Sequence, residues 1–370
     1  MRTTKRAWRA LGVLLLAVLL ALPLAACGKK AEAPEKSEPA TGEKSPAANA
    51  PASGTAKKEP VTLTVVTPPD PNSIPLLLLY AKQDEWLKGD VPVKLQVKLA
   101  PGGDPSAMKA LIQNRDADFA LFNSLGGRKM YEEGQKHIRL VGTHVWRGVY
   151  ILTPQDVKDW KELNGANGIA VPGVQTPPHI LAQKALKKQG AEVNFAPMGP
   201  GEALWTTLSE NQQGIKVVAA PEPLVSMILM RQEKDNWKTK YKVFADPVEV
   251  LNPEGKIFPL GAVWLVNDKL LDTPEGVKAG KAFVEGFKKA IAYANDPANR
   301  QEAVQLLPKY WKEVFNQEAP PKLFEMMLSS GRLGLDFKGG PEAKDTVFSL
   351  WKNVMGVEGD PGIICTKLYQ

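Results

Sequence analysis

The chain has 370 residues, of which 47 are Lys or Arg and 40 are Asp or Glu, so its formal net charge is +7. Four basic residues lie within the first 26 positions, and the rest of the chain carries 43 basic against 40 acidic residues. That balance, with lysines scattered rather than clustered, argues against nucleic-acid binding. The sequence has no metalloprotease, paired-cysteine, nucleophile-elbow or phosphate-loop motif, and its three histidines lack metal-ligand spacing. We therefore expect no enzyme, no cofactor and no metal site.

The first 26 residues have the pattern of an export signal. Four basic residues precede an apolar run over 11–26, which is too short to span a bilayer comfortably. The run ends in LAAC followed by Gly28, which resembles the bacterial lipoprotein signal. That resemblance implies that a diacylglyceryl group is attached to Cys27, which becomes the first residue of the mature protein. The alternative is an ordinary secretory signal with a chance cysteine.

The next segment contains only Gly, Lys, Ala, Glu, Pro, Ser, Thr and Asn, from residue 28 to residue 60. Such a composition cannot bury enough apolar surface to offset the entropy lost on ordering. We expect residues 27–60 to be a disordered, lipid-anchored tether. Cys365 is the only other cysteine, and we expect it to be a small buried side chain. With no base beside it, the sequence supports no catalytic role for this thiol.

Strand and helix patterns alternate after residue 60. VTLTVVT at 61–67 is β-branched, VPVKLQVKL at 91–99 alternates as a half-exposed edge strand does, and DFALFNS contains a buried strand. The alternation then starts again, with a helix predicted over 177–189. This order predicts an α/β fold with open, mostly parallel sheets. The last quarter is predicted to be helical, with four core aromatic residues: Trp311, Phe315, Phe324 and Trp351.

Between Asp118 and Leu270 the order of segments resembles the solute-binding proteins of ABC importers, of the nitrate, sulfonate and thiamine-precursor type. The segments that carry the resemblance are DFALFNS, GVQTPPHILAQKALKKQG, PMGPGEALWTTL, VVAAPEP and the return segment beginning PLGAVWLVND. The resemblance implies the type II periplasmic binding protein fold, with two lobes that are each a mixed, mostly parallel sheet flanked by helices, and a cleft between them. Lobe one would comprise 61–150 plus 262–370, and lobe two 151–261.

The same resemblance implies a monomeric substrate-binding lipoprotein that delivers a small polar solute to an ABC permease and ATPase complex. The tether would hold it in the cell envelope, at the outer face of the cytoplasmic membrane or in the periplasm, close to its permease. Because Gly28 is not the aspartate that retains some lipoproteins at the inner membrane, outer-membrane sorting stays open. The alternatives are a ligand-binding sensor or envelope protein on the same fold, and an enzyme derived from it.

Ligands of open α/β sheets bind beyond the carboxyl ends of the strands. Ten residues satisfy this rule and are predicted to bind the ligand: Asp70, Asn72, Gly103, Asn123, Ser124, Trp146, Arg147, Gln175, Thr176 and Glu222. An oxyanion such as a sulfonate fits if Arg147 and the helix starts dominate, and an amino-bearing ring such as a pyrimidine fits if Glu222 and Trp146 dominate.

Each of these residues also has a purely structural alternative. Asn123, Ser124 and Thr176 are equally suited to capping helices. Arg147 is suited to an ion pair, Trp146 to packing at a hinge, and Glu222 to remaining solvated. The sequence leaves both the residue roles and the ligand class open.

Overall fold

The computed structural model describes residues 59–100, 105–211, 213–252 and 259–370. The predicted signal peptide, Cys27, nearly all of the predicted tether and Gly103 lie outside these residues. No helix of the described part is both long and apolar enough to cross a membrane.

The strands are short, and all but the last lie within the part of the chain where strand and helix patterns alternate in the sequence. They are β1 (Val61–Thr67), β2 (Val93–Leu99), β3 (Phe119–Asn123), β4 (Arg139–Val145), β5 (Val149–Pro154), β6 (Ala166–Ala170), β7 (Val193–Pro197), β8 (Ile215–Pro221), β9 (Tyr241–Ala245), β10 (Gly261–Leu265) and β11 (Leu335–Gly339).

Helices separate most of these strands. They are α1 (Ser73–Ala81), α2 (Gln83–Trp86), α3 (Pro105–Asn114), α4 (Ser124–Glu132), α5 (Pro177–Lys188), α6 (Glu202–Glu210), α7 (Leu224–Lys234), α8 (Pro247–Leu251), α9 (Pro274–Asn295), α10 (Arg300–Phe315), α11 (Pro321–Ser329) and α12 (Gly340–Met355). Helix α5 ends one residue before the predicted limit. It begins with Pro177, whose missing N–H costs nothing at the first helical position.

The first sheet has the strand order β11-β4-β10-β3-β1-β2. Strand β1 is parallel to β2 and β3, whereas β10 runs antiparallel to both β3 and β4. The carboxyl ends of β1, β2, β3 and β4 therefore lie at one edge of the sheet. The alternating strand β2 is an edge strand, as predicted. Strand β11 is the edge strand on the opposite side of the sheet from β2. The last quarter was expected to be helical, and this expectation was wrong at β11.

The second sheet has the order β7-β6-β8-β5-β9. Strand β6 is parallel to β7 and β8, and β5 runs antiparallel to β8 and β9. The carboxyl ends of β6, β7 and β8 share one edge. Each sheet, with the helices that cover it, forms one lobe of a two-lobed α/β structure; we call them lobe one (first sheet) and lobe two (second sheet).

Two connections join the sheets, residues 146–148 between β4 and β5 and residues 246–260 between β9 and β10. The first connection leaves the carboxyl end of β4 and enters β5 at Val149, which pairs with Pro221 at the carboxyl end of β8. With only three residues between the two strands, the carboxyl-end edges of the two sheets adjoin. This topology places the cleft between these two edges.

Both faces of each sheet are covered by apolar side chains. In β1, Leu63 and Val65 enter one buried cluster and Val66 enters another, as the alternation of a strand requires. The predicted core aromatics Trp311, Phe315, Phe324 and Trp351 are all buried. Cys365 is also buried, which confirms its expected role as a small core side chain.

Candidate ligand-binding cleft

Asp70 and Asn72 follow β1 at the cleft edge of lobe one and are bonded to each other. The backbone N–H of Asn72 donates to Oδ1 of Asp70 over 2.8 Å, and its side-chain Nδ2 donates to Oδ2 over 3.0 Å. Although Asp70 keeps some solvent-accessible surface, protein atoms surround its carboxyl group. This desolvation raises the pKa of Asp70 to about 7, against the opposing effect of the two bonds from Asn72.

The buried side chain of His144 contacts the backbone of the segment that holds Asp70 and Asn72. Nε2 of His144 lies 3.1 Å from the backbone oxygen of Asn72, and its ring packs edge-on against Phe287 with centroids 5.0 Å apart. Because a carbonyl oxygen can only accept, Nε2 carries the proton. Burial lowers the pKa of His144 to about 4, so the ring is neutral near pH 7.

Asn72 also contacts the central strand β10. A Cβ atom built on Gly261 would lie 2.0 Å from Oδ1 of Asn72, so the side chain packs directly over that glycine. Oδ1 is buried and has no hydrogen-bond partner among the residues that the structure describes. The Asn72 side chain is therefore fixed by its packing on β10 and by its bond to Asp70.

Asn123 and Ser124 have structural partners at the start of α4. Oδ1 of Asn123 accepts from the N–H of Gly126 over 2.6 Å, which is the helix-capping bond of the structural alternative. Ser124 is buried, and its Oγ donates to the backbone oxygen of Pro259 over 2.5 Å. Its N–H donates to the oxygen of Leu260, so Ser124 holds the chain that returns to β10.

Trp146 and Arg147 lie in the first connection between the lobes. Trp146 is buried, and its Nε1 donates to the backbone oxygen of Asp336 over 2.6 Å. Arg147 is ion-paired with Asp246 at 3.5 Å and also with Glu249. Since both carboxylates belong to the second connection, Arg147 ties the two connections to each other. Its guanidinium is therefore already engaged within the chain.

Gln175 and Thr176 precede α5 at the cleft edge of lobe two. Gln175 is exposed, has a backbone φ of 62°, and donates its N–H to Nδ1 of His179 over 3.1 Å. Oγ1 of Thr176 donates to the backbone oxygen of Gly173 over 2.6 Å and makes no capping bond to the helix. The first two helical residues are prolines, so this helix start offers few free N–H groups to an anion.

Glu222 follows β8 and has the most enclosed carboxylate among the predicted site residues. Its side chain is fully buried and accepts from the N–H of Ser226 over 3.0 Å and from Oγ of Ser226 over 3.1 Å. Nε of Arg332 donates to it over 2.5 Å. The Glu222 carboxylate is thus not solvated, because it is ion-paired with the guanidinium of Arg332.

Sequence reasoning did not single out Arg332. It lies in the loop between α11 and β11, within a segment that reads SSGRLG and contains no recognisable motif. Its partner Glu222 is 110 positions away, so only the three-dimensional structure brings the two together.

Several solved structures have a similar fold. No known family profile and no curated protein matches the sequence. Among solved structures, an ABC transporter protein from Parabacteroides distasonis is 20% identical, with 83% of this chain and 98% of that chain covered and a TM-score of 0.60. The periplasmic aliphatic sulphonate binding protein SsuA from Escherichia coli is 15% identical, with 82% and 91% covered and a TM-score of 0.59.

A third solved structure is the ligand-binding component of an ABC-type import system from Staphylococcus aureus, 16% identical, with 83% of this chain and 97% of that chain covered and a TM-score of 0.57. This chain has the fold of periplasmic binding proteins. The fold predicted from the order of its segments is therefore confirmed. At these identities the likeness extends to the fold and no further.

The structure also has a cavity outside the cleft of the binding-protein fold. It has a volume of about 270 Å³ and is lined by Arg139, Leu265, Asp268, Cys365 and Lys367, among others. Arg139 begins β4 and Leu265 ends β10, so the cavity lies at the edge of the first sheet opposite the cleft. No predicted site residue lines it. Within the described part of the chain, no group of three or more His, Cys, Asp or Glu side chains is placed to hold a metal ion.

Proposed function

We propose that this protein is the solute-binding component of an ABC importer and captures a small polar solute between its two lobes. The observation that carries the proposal is the meeting of two carboxyl-end edges across the connection at 146–148. Polar side chains from both lobes, including Asn72 and Gln175, lie at these edges. Because such edges are where open α/β sheets bind ligands, a solute between them would contact both lobes.

Delivery to a membrane permease follows from the same proposal. The solved structures with this fold include a protein described as the ligand-binding component of an ABC-type import system and one described as a periplasmic aliphatic sulphonate binding protein. The LAAC segment supports lipid attachment at Cys27, and the core-poor segment after it would tether a monomeric receptor near the permease.

The proposed solute is a sulfonate, another oxyanion or a pyrimidine-like molecule. The fold is shared with aliphatic sulphonate binding proteins, which favours an oxyanion. The pairing of Arg147 with Asp246 and Glu249 reduces the positive charge available to an anion. Asp70 at the cleft edge keeps some accessible surface, and its carboxyl oxygens are acceptors suited to a solute that carries N–H or O–H groups.

Thermal unfolding of the purified protein against sulfonates, nitrate, carboxylates, amino acids and pyrimidines tests the proposal. A solute present at 100 times its dissociation constant stabilises the folded state by about 2.7 kcal/mol, which raises the unfolding midpoint visibly. We expect one chemical class to produce this shift. Binding should weaken in Asn72→Ala and persist in Asn167→Ala, a matched control far from the cleft at the opposite end of β6. Equal weakening in both variants, or no shift with any class, would contradict the proposal.

A further inference from the structure

The contact between Arg332 and Glu222 crosses from one lobe to the other. Arg332 follows α11, which is anchored in the core of lobe one by the buried Phe324, whose ring lies 5.5 Å from that of Trp311. Glu222 follows β8 of the second sheet and precedes α7. Their ion pair, at 2.5 Å, therefore links the two lobes at a point outside both connecting segments.

The Arg332–Glu222 pair is largely shielded from water. The Glu222 side chain has 0% of its surface exposed, and that of Arg332 has 16%. A buried carboxylate that loses its partner is strongly destabilised, because neither water nor another charge compensates it. Any rotation that separates the lobes at this point must either expose Glu222 to water or leave it buried without a cation.

The guanidinium is held in a fixed orientation. Nε donates to Oε1 of Glu222, and Nη2 donates to Oγ of Ser226 over 2.6 Å. Both acceptors belong to lobe two, and Oε2 of Glu222 accepts from the Ser226 N–H. Two donors in the plane of one guanidinium define an orientation as well as a distance, which a lysine ammonium cannot reproduce.

The loop that carries Arg332 is bonded to the first connection and to lobe two as well. The hydroxyl of Tyr150 donates to the backbone oxygen of Arg332 over 2.7 Å. The N–H groups of Trp146 and Arg147 donate to the backbone oxygens of Gly334 and Leu333, each over 3.2 Å. The side-chain pair thus projects from a loop that is bonded both to the first connection and to β5 of lobe two, which places the pair beside the hinge.

We propose that Arg332 is an inter-lobe latch, which sets the relative orientation of the two lobes by holding Glu222 and Ser226. The latch acts without any solute, and so it is independent of the function proposed above. A hinge motion that moves Glu222 and α7 away from the loop that carries Arg332 requires this contact to break, and the reverse motion re-forms it.

Distance measurement by electron spin resonance between labelled lobes tests the latch. One spin label is attached through Gln305→Cys on α10 and another through Lys187→Cys on α5, both exposed positions, with Cys27→Ala and Cys365→Ala removing the native thiols. Without added solute, we expect Arg332→Met and Glu222→Gln each to broaden or shift the inter-lobe distance distribution. Arg332→Lys should give an intermediate distribution, because it keeps the charge and loses the two-point contact.

Lys322→Met is the matched control, since it removes an ion pair with Glu325 that is exposed and lies within α11. It should leave the distances unchanged. If a single substitution prevents folding, the double variant Glu222→Gln with Arg332→Met leaves no unpaired buried charge and should show the same broadening. Distances identical to those of the unsubstituted protein in folded Arg332→Met, or in the double variant, would overturn the proposal.

Discussion

Replacing Gly261 by alanine should destabilise the protein by about 3 kcal/mol or more, at the upper end of the cost of overpacking a core. The new Cβ would lie 2.0 Å from Oδ1 of Asn72, 2.7 Å from Cβ of Val145 and 2.9 Å from its Cγ2. Gly261 lies in β10, between β3 and β4, where backbone movement would disturb both neighbouring strands. Relief by displacement of Asn72 would break its bonds to Asp70.

Urea denaturation of Gly261→Ala and of Gly89→Ala measures this effect. A Cβ atom on Gly89 would meet nothing within 4 Å, so this control changes a glycine without adding a contact. We expect a much lower midpoint for Gly261→Ala than for the control. Because Asn72 is also a predicted ligand-binding residue, any Gly261→Ala protein that folds should bind solute more weakly. Equal stability of the two variants would show that the close packing of Asn72 on β10 has no energetic consequence.

The pH dependence of stability should contain two opposing contributions. Asp70 has a pKa of about 7 in the folded protein and an ordinary value of 3.8. Between these two pH values the folded state holds a proton that the unfolded chain has lost. The Asp70 contribution therefore reduces the free energy of unfolding as the pH rises from 3.8 to about 7. For His144 the folded value is about 4 and the ordinary value 6.5, so the unfolded chain takes up the extra proton. This second contribution reduces stability as the pH falls.

At 1.36 kcal/mol for each pKa unit, the two contributions reach on the order of 4 and 3 kcal/mol respectively, and their windows overlap. They should largely cancel in the unsubstituted protein. Asp70→Asn removes the first contribution, so its unfolding free energy should fall steeply on acidification through the His144 window. It should also be the more stable protein at pH 8. Urea titrations at several pH values measure both effects.

Asp156→Asn is the control for this comparison, since Asp156 is an exposed carboxylate on lobe two. It should follow the pH profile of the unsubstituted protein. If Asp70→Asn has the same profile as the control, the Asp70 carboxyl group is not held in its protonated form by the cleft edge.

The periodicity of the sequence was sufficient to predict most of the strands, helices and core residues. Strand β2 alternates because one of its faces is packed and the other is wet, and this pattern survives in any context. The start of α5 follows from its two prolines, which suit only the first turn. The buried aromatic residues of α10, α11 and α12 follow from the burial preference of large apolar side chains.

Features that depend on distant partners could not be predicted in this way. Strand β11 reads LDFKG, which is too short for a clear period, and it is held by antiparallel pairing with β4. The local sequence around Arg147 and Glu222 is compatible with either ligand binding or ion pairing. Their carboxylate and guanidinium partners decide between these roles and lie about 100 positions away or more: Asp246 and Glu249 for Arg147, and Arg332 for Glu222.

Hydrogen exchange with and without a solute that stabilises the protein tests the central claim most directly. If the solute binds between the lobes, it should slow exchange at both cleft edges together, at 70–74 and 124–127 in lobe one and at 175–180 and 224–227 in lobe two. Protection confined to one lobe, or centred on the opposite cavity at Arg139, Asp268 and Cys365, would contradict binding in the cleft.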